Sequence, residues 1–308
     1  MRIDRITLDR RYKPNTPVVA CIGYFDGVHK GHQALIARTV ELAKELSCAT
    51  ALITFEPDPW VTVRNALPQE LEHLTTSRQK NNLVIKYGIQ NIYYLDFTKQ
   101  MAALSPHDFI ELVLGQLNLK GLVCGYDFRF GAKGLGDAGF LKRSVSYPVE
   151  VIEEISYKGT KISSSRIVKC VKAGDFMSAY ELLGHPFTMD GTVIAGRHIG
   201  STLNTPTVNL GYSPEYVLPR IGVYSGHIIV RGKMYGAMIN VGHNPTGNYS
   251  VPISIETYIF NFNSTIYGER VSLIFEQYIR EEKDFKNMDN LKMQLELDKE
   301  TVRKLLRL

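Results

Sequence analysis

Residues 18–46 read VVACIGYFDGVHKGHQALIARTVELAKEL, and the reading of this stretch decides the fold. VVACIG (18–23) is a short apolar run that stops on a glycine, the pattern of a strand buried on both faces. From His32 to Leu46, the residues Leu35, Ile36, Val40, Leu42, Ala43 and Leu46 fall near helical spacing, as on one face of an amphipathic helix. Between strand and helix lie Gly23, Asp26, Gly27, His29, Gly31 and His32. A glycine at a strand end lets the backbone approach a phosphate, and a helix starting just beyond points unpaired N–H groups at the same anion. Two histidines three residues apart at such a helix start can both face that anion. Each offers an N–H donor, or a cation, to phosphoryl oxygens whose charge grows in the transition state. Transfer of this kind needs positioning and electrostatics rather than a covalent intermediate. Two other readings of the motif stand beside this one. The pair could bind a metal, although no third histidine or cysteine lies nearby to complete the site, or the turn could be structural and carry two surface histidines.

The alternation continues outward. ATALITF (49–55), NIYYLDF (91–97) and GLVCG (121–125) read as strands, while SRQKNNLVIKYG (77–88) and SPHDFIELVLGQL (105–117) read as helices, the latter opening on Ser then Pro. This pattern predicts a parallel sheet with helices on both faces. In such sheets ligands bind outside the carboxyl ends of the strands, where Gly23 and Gly125 fall. Near AYELLGHPF (179–187) the pattern changes. GTVIAG, GVYSGHIIVRG, KMYGAMINVG, PISIETYIFNF and RVSLIFEQYI are short, turn-bounded and rich in Val, Ile, Tyr and Phe, which predicts an antiparallel barrel or sandwich. NMDNLKMQLELDKETVRKLL (287–306) predicts a closing amphipathic helix whose Leu291, Leu295, Val302 and Leu305 pack on it. The expected boundary lies near residue 185, dividing the chain into 1–185 and 186–308.

Composition narrows the function classes. The chain has 308 residues, 44% hydrophobic and 22% charged, which suits two globular domains with real cores. The net charge of +5 comes without a clustered basic run, so no nucleic-acid surface is expected. Cys21, Cys48, Cys124 and Cys170 lie far apart and form no CxxC pair, so free thiols are expected, buried at the first three positions. The N-terminus has no signal-peptide core, and no apolar run reaches the roughly 18 residues of a membrane span. A cytoplasmic protein without a membrane partner is expected.

GYFDGVHKGH (23–32) resembles the GxFDGxHxGH signature of the HxGH nucleotidylyltransferase superfamily, in the form used by bacterial FAD synthetases. CGYDFRFGAKGLGD (124–137) is similar to that family's second loop, and ISSSRI (162–167) to its ISSTxIR motif. GTVIAGRHIGSTLNTPTVNL (191–210) resembles the opening of the riboflavin kinase domain usually fused behind it. GVYSG, NVGHNPT, SIETYIFNFNSTIYGERV and IREEKDF then continue in family order. The resemblance, to bifunctional riboflavin kinase/FMN adenylyltransferases, covers nearly the whole chain. It implies a Rossmann-like α/β domain followed by an antiparallel β-barrel with a C-terminal helix. It also implies ATP, FMN and riboflavin as substrates and Mg2+ as cofactor.

For the first domain the resemblance implies attack of the FMN phosphate on the α-phosphorus of Mg-ATP, releasing pyrophosphate and forming FAD. His29 and His32 would stabilise charge on the reacting phosphates, while Gly23, Phe25, Asp26, Gly27 and Gly31 would shape the nucleotide turn. Asp127, Phe128 and Arg129 would border flavin and ATP, Asp127 having also the reading of a turn residue. Ser163, Ser164 and Ser165 would bind the outer phosphates, with Arg166 the candidate replacement for the family arginine whose position here is Val168. For the second domain it implies ATP-dependent phosphorylation of riboflavin, with Glu256 as general base and Thr207 and Asn209 holding Mg2+ and phosphate.

Departures bear on both halves. Asp58 in EPDP stands where the family commonly has His, an acid near phosphate that should weaken affinity. In GSTLNTPTVN, Ser201, Asn204 and Thr205 replace Arg, Gly and Phe, which removes a forked phosphate ligand and backbone freedom. Tyr258, Asn261, Asn263 and Ser264 also depart from the family pattern. The sequence therefore leaves open a working kinase or a kinase-like barrel that only binds or senses flavin. A different acceptor for the HxGH chemistry is a third possibility, against which the second-domain resemblance argues.

Overall fold

The computed structural model describes residues 2–67, 71–195, 207–243, 253–283, 285 and 287–308. The chain divides into two compact units. One comprises residues 1–71 and 77–163; the other comprises residues 72–76 and 164–308.

The first unit is a six-stranded sheet built from β1 (Arg2–Ile6), β2 (Val18–Ile22), β3 (Ala49–Glu56), β4 (Asn91–Asp96), β5 (Leu119–Gly125) and β8 (Val149–Ile152). Its order is β1-β4-β3-β2-β5-β8, and every neighbouring pair is parallel. All five residues of β2 are buried, which explains why it reads as a continuous apolar run rather than an alternation. Its side chains divide by parity. Val18, Ala20 and Ile22 pack with Phe109, Val113 and Leu141 on one face. Val19 and Cys21 pack with Ile36, Leu42, Ala43 and Val84 on the other.

Helix α1 (Lys30–Glu45) follows β2 and α3 (Ser77–Lys86) precedes β4; between them lies the short α2 (Pro59–Arg64). Further along come α4 (Lys99–Ala102), α5 (Pro106–Leu112) and α6 (Ala138–Ser144). Two small hairpins decorate the unit, β6 (Arg129–Phe130) with β7 (Gly136–Asp137), and β9 (Ser156–Tyr157) with β10 (Thr160–Lys161). β1 and β8 were not anticipated: both are edge strands, β1 being largely polar and exposed and β8 only four residues long. The long helix expected over 105–117 ends at Leu112, and a 3-10 turn takes up Leu114–Gln116. The strand order reverses direction between β2 and β5. That is the switch point at which open α/β sheets form a crevice.

The second unit begins with α7 (Ser164–Ala173) and α8 (Phe176–Leu183). A closed barrel follows, of β11 (Thr188–Ile194), β12 (Thr207–Tyr212), β13 (Gly222–Val230), β14 (Lys233–His243), β15 (Ile253–Ile259) and β16 (Arg270–Arg280). Its order is β11-β12-β15-β14-β13-β16, antiparallel throughout. Closure leaves no open sheet edge.

The C-terminal helix (Met288–Leu306) packs on β13 and β14. Val302 is fully buried and Leu295 packs beside it, as the spacing predicts, but Leu305 is 41% exposed and Leu306 takes its place in the contact. A buried ion pair anchors this helix: Arg280 donates from Nε and Nη2 to the Asp298 carboxylate, which also accepts from Gln294. All four cysteines are free, Cys21 and Cys124 buried and the other two partly so. Burial pushes the Cys21 thiol up to about 12 and Cys124 to about 11.

Candidate active site

The turn between β2 and α1 is held in a conformation that ordinary residues rarely adopt. Phe25 has φ 61° and Val28 φ 41°, with Gly27 at φ 72° between them. Left-handed backbone costs a non-glycine residue about 1–2 kcal/mol, so the turn persists only because its surroundings fix it. Gly23 N–H donates to the Ile53 carbonyl at 3.1 Å. The Thr54 hydroxyl and the Lys80 ammonium both donate to the Tyr24 carbonyl, at 3.0 and 3.2 Å, and Gln33 Nε2 donates to the Val28 carbonyl at 2.8 Å.

The turn delivers His29 as the N-cap of α1. Its Nδ1 accepts the backbone N–H of His32 at 3.3 Å, so a neutral His29 carries its ring proton on Nε2. The two imidazoles stack with centroids 3.7 Å apart and planes 15° apart, and the Phe25 ring lies 4.8 Å from His32. Gly31 leaves room for this arrangement, since a Cβ there would meet His29 Cε1 at 3.1 Å. Burial, the neighbouring His29 and the Lys80 charge hold His32 well below the usual imidazole range. Its Nδ1 is buried without a hydrogen-bond partner. His32 thus stands in neutral form beside His29 at a helix N-terminus, on the switch-point edge of the sheet. Such a place suits an anionic ligand.

Gly23, Phe25, Asp26, Gly27, His29, Gly31 and His32 are therefore brought together, with Asp26 buried. Among the described residues no cluster of three His, Cys, Asp or Glu side chains could hold a metal ion. The loop after β5 is built differently. Asp127 is ion-paired with Lys161, and Arg129 with Asp137 at 3.3 Å. Phe128 stacks on Phe130, which is buried against Phe109. Ser163 closes the first unit, and Ser164, Ser165 and Arg166 form the first turn of α7 in the second. Asp58 is the N-cap of α2: its Oδ1 accepts the Trp60 N–H at 2.7 Å, a structural use for the acid at that position.

On the barrel, antiparallel register sets Asn209 directly opposite Glu256 and Thr207 opposite Tyr258. Residues two apart on a strand share a face, so Thr207, Asn209, Glu256 and Tyr258 line one patch of the ladder. Ile255, Thr257 and Ile259 are buried at 1%, 1% and 6% exposure, which puts the half-buried Glu256 on the outward face. The Lys299 ammonium of the C-terminal helix lies 4.8 Å from the Tyr258 ring centroid. Asn261 adopts φ 53°, a left-handed position that asparagine tolerates better than most residues. Ser201, Asn204 and Thr205 lie outside the described residues.

Lys80 and Thr54 were missed from sequence. A lysine in an amphipathic helix reads as solvent-facing, yet Lys80 lies four residues before the buried Val84, and that spacing carried the signal.

The fold defines an α/β unit with a nucleotide-type switch-point site, joined to a closed antiparallel barrel. Residues 12–166 match the FAD synthetase family model and residues 183–306 the riboflavin kinase model. Bifunctional riboflavin kinase/FMN adenylyltransferases from Listeria monocytogenes and Bacillus subtilis are each 34% identical over 287 residues, covering 92% of this chain and 91% and 90% of theirs. That of Escherichia coli is 30% identical over 295 residues, covering 94% of this chain and 93% of its own. The chain belongs to the bifunctional riboflavin kinase/FMN adenylyltransferase family. A crystal structure of a protein designated a macrolide-efflux protein from Streptococcus pneumoniae has a TM-score of 0.91 and 30% identity, covering 98% of both chains. Among the described residues no helix here is long and apolar enough to cross a membrane.

Proposed function

We propose that this chain makes FAD in two reactions, residues 186–308 phosphorylating riboflavin to FMN and residues 1–185 adenylylating FMN. The observation that carries the second step is the stacked His29–His32 pair capping α1 at the switch point. There the FMN phosphate attacks the α-phosphorus of ATP, the bond to the β-phosphate oxygen breaks, and pyrophosphate leaves. The Nε2–H of His29 and the imidazole of His32 stabilise the charge that builds on the phosphoryl oxygens, and the N–H groups opening α1 add to the same field. Gly23, Phe25, Asp26, Gly27 and Gly31 hold the turn in shape. Asp127, Phe128 and Arg129 border the ligands, and Ser163–Arg166 bind the outer phosphates. In the kinase step Glu256 accepts the proton of the riboflavin hydroxyl as it attacks the γ-phosphorus of ATP, the bond from that phosphorus to the β-phosphate oxygen breaks, and ADP leaves.

Magnesium fits the face that carries Glu256. Hydroxyl, amide and carboxylate oxygens are the hard donors it takes, and it needs few from protein when phosphates and water supply the rest. Thr207 and Asn209 would hold it, and when bound it neutralises charge on the transferring phosphate. A cytoplasmic location suits two reactions that draw on ATP. Supplying the protein with Mg-ATP and either riboflavin or FMN, then separating the flavins, tests both steps. FMN converted to FAD and riboflavin carried through to FAD are expected. A barrel that binds riboflavin without turnover would instead leave only the adenylylating step.

A further inference from the structure

Lys80 is buried to 5% exposure, although lysine is among the residues least often found inside. Its ammonium donates to the Tyr24 carbonyl at 3.2 Å and to Thr54 Oγ1 at 3.3 Å. It also lies 4.8 Å from the Tyr24 ring centroid and 5.4 Å from that of Tyr94. Asp26, Glu56 and Asp58 act on it electrostatically, but burial prevails and lowers its pKa to about 8. A cation placed so deep costs stability. A methionine of similar length would fill the same space without that cost.

What the ammonium touches points to the reason for keeping it. Tyr24 immediately precedes Phe25, the first left-handed residue of the turn. The orientation of the Tyr24 carbonyl sets the peptide plane entering that residue. Two donors converge on this one oxygen, Lys80 from α3 and Thr54 from β3. The far end of the turn is held separately by Gln33 on the Val28 carbonyl. His29 and His32 follow directly.

We propose that Lys80 is a positioning residue for adenylyl transfer: its ammonium clamps the Tyr24 carbonyl and thereby fixes the turn that sets His29 and His32 against the reacting phosphates. The proposal rests on the adenylyltransferase reading above. The same charge also acts on His32, alongside its stacked neighbour His29.

The test uses the full-length protein with Mg-ATP and FMN, comparing wild type, Lys80→Met and Thr54→Val. For Lys80→Met, kcat should fall at least about tenfold, as displacement of a catalytic group entails, while KM for FMN stays within about twofold. The thermal midpoint should hold or rise, since a costly buried charge is gone; a residue that only supported the core would lower it. Thr54→Val, which removes the other donor to the same oxygen at nearly constant shape, should lower kcat about threefold. Should Lys80→Met fail to fold, Lys80→Gln, which keeps one N–H donor, and Thr54→Val carry the same comparison. FAD formed by wild type and by the variants at equal kcat overturns the clamp alone. No FAD from wild type removes the adenylyltransferase reading and the clamp with it.

Discussion

The imidazoles of His29 and His32 lie face to face at 3.7 Å, and the ring of the first accepts the backbone N–H of the second. One hydrogen bond therefore caps the helix, sets the tautomer of a neutral His29 and ties its ring to the His32 backbone, while the two rings meet by stacking. Two imidazolium ions would repel in this stack, and burial together with the neighbouring His29 keeps His32 neutral.

Replacing both histidines with alanine should lower FAD formation from FMN by at least about a hundredfold, as loss of transition-state charge stabilisation does. Flavin binding, measured by quenching of FMN fluorescence, should persist. Near-normal turnover in the double variant would move the chemistry elsewhere.

His32 also gives the protein a pH signature. Its folded pKa lies well below 6.5, chiefly through burial, so the unfolded chain binds more protons below that value. The resulting stability is fully present above about pH 6.5 and is lost as pH falls toward the folded pKa, by at most about 1.4 kcal/mol per pH unit. Urea unfolding at neutral pH and in mild acid should show a loss in wild type that is smaller in His32→Asn. Equal losses in both would show that His32 is not buried in neutral form.

Glu256 stands opposite Asn209 on the outward face of the barrel. Glu256→Gln keeps size and hydrogen bonding but removes the base, and should lower FMN formation from riboflavin about a hundredfold or more. Conversion of FMN to FAD by the same variant should be unaffected. A parallel loss of both activities would argue against separate sites.

Arg280 and Asp298 hold the C-terminal helix to the barrel, Asp298 being 2% exposed. Removing the arginine strands a buried carboxylate, so Arg280→Ala should cost about 3–5 kcal/mol in chemical denaturation. Arg280→Lys should recover only part of this, because an ammonium cannot reproduce the two-pronged contact.

Much of this molecule was legible because its local and global signals agree. β2 reads as a two-sided buried strand since helices cover both faces of its sheet, and the histidine turn is short enough to carry its whole geometry in one segment. The barrel patch was legible only through the family resemblance: Thr207 and Glu256 lie far apart in sequence, and only strand register brings them onto one face. Lys80 was hidden for a different reason. Its spacing to Val84 places it on the buried face of α3. The groups that accept its hydrogen bonds, Thr54 and the Tyr24 carbonyl, come from distant segments, and no spacing rule encodes those. Asp58 also caps α2, a use that is visible only once the helix start is known.

The most direct measurement is FAD and pyrophosphate formation by the purified protein from FMN and Mg-ATP, with the His29→Ala/His32→Ala variant alongside. The account predicts equal amounts of both products from wild type and almost none from the variant. Wild type that forms no FAD, or a variant that forms it at the same rate, would contradict the account.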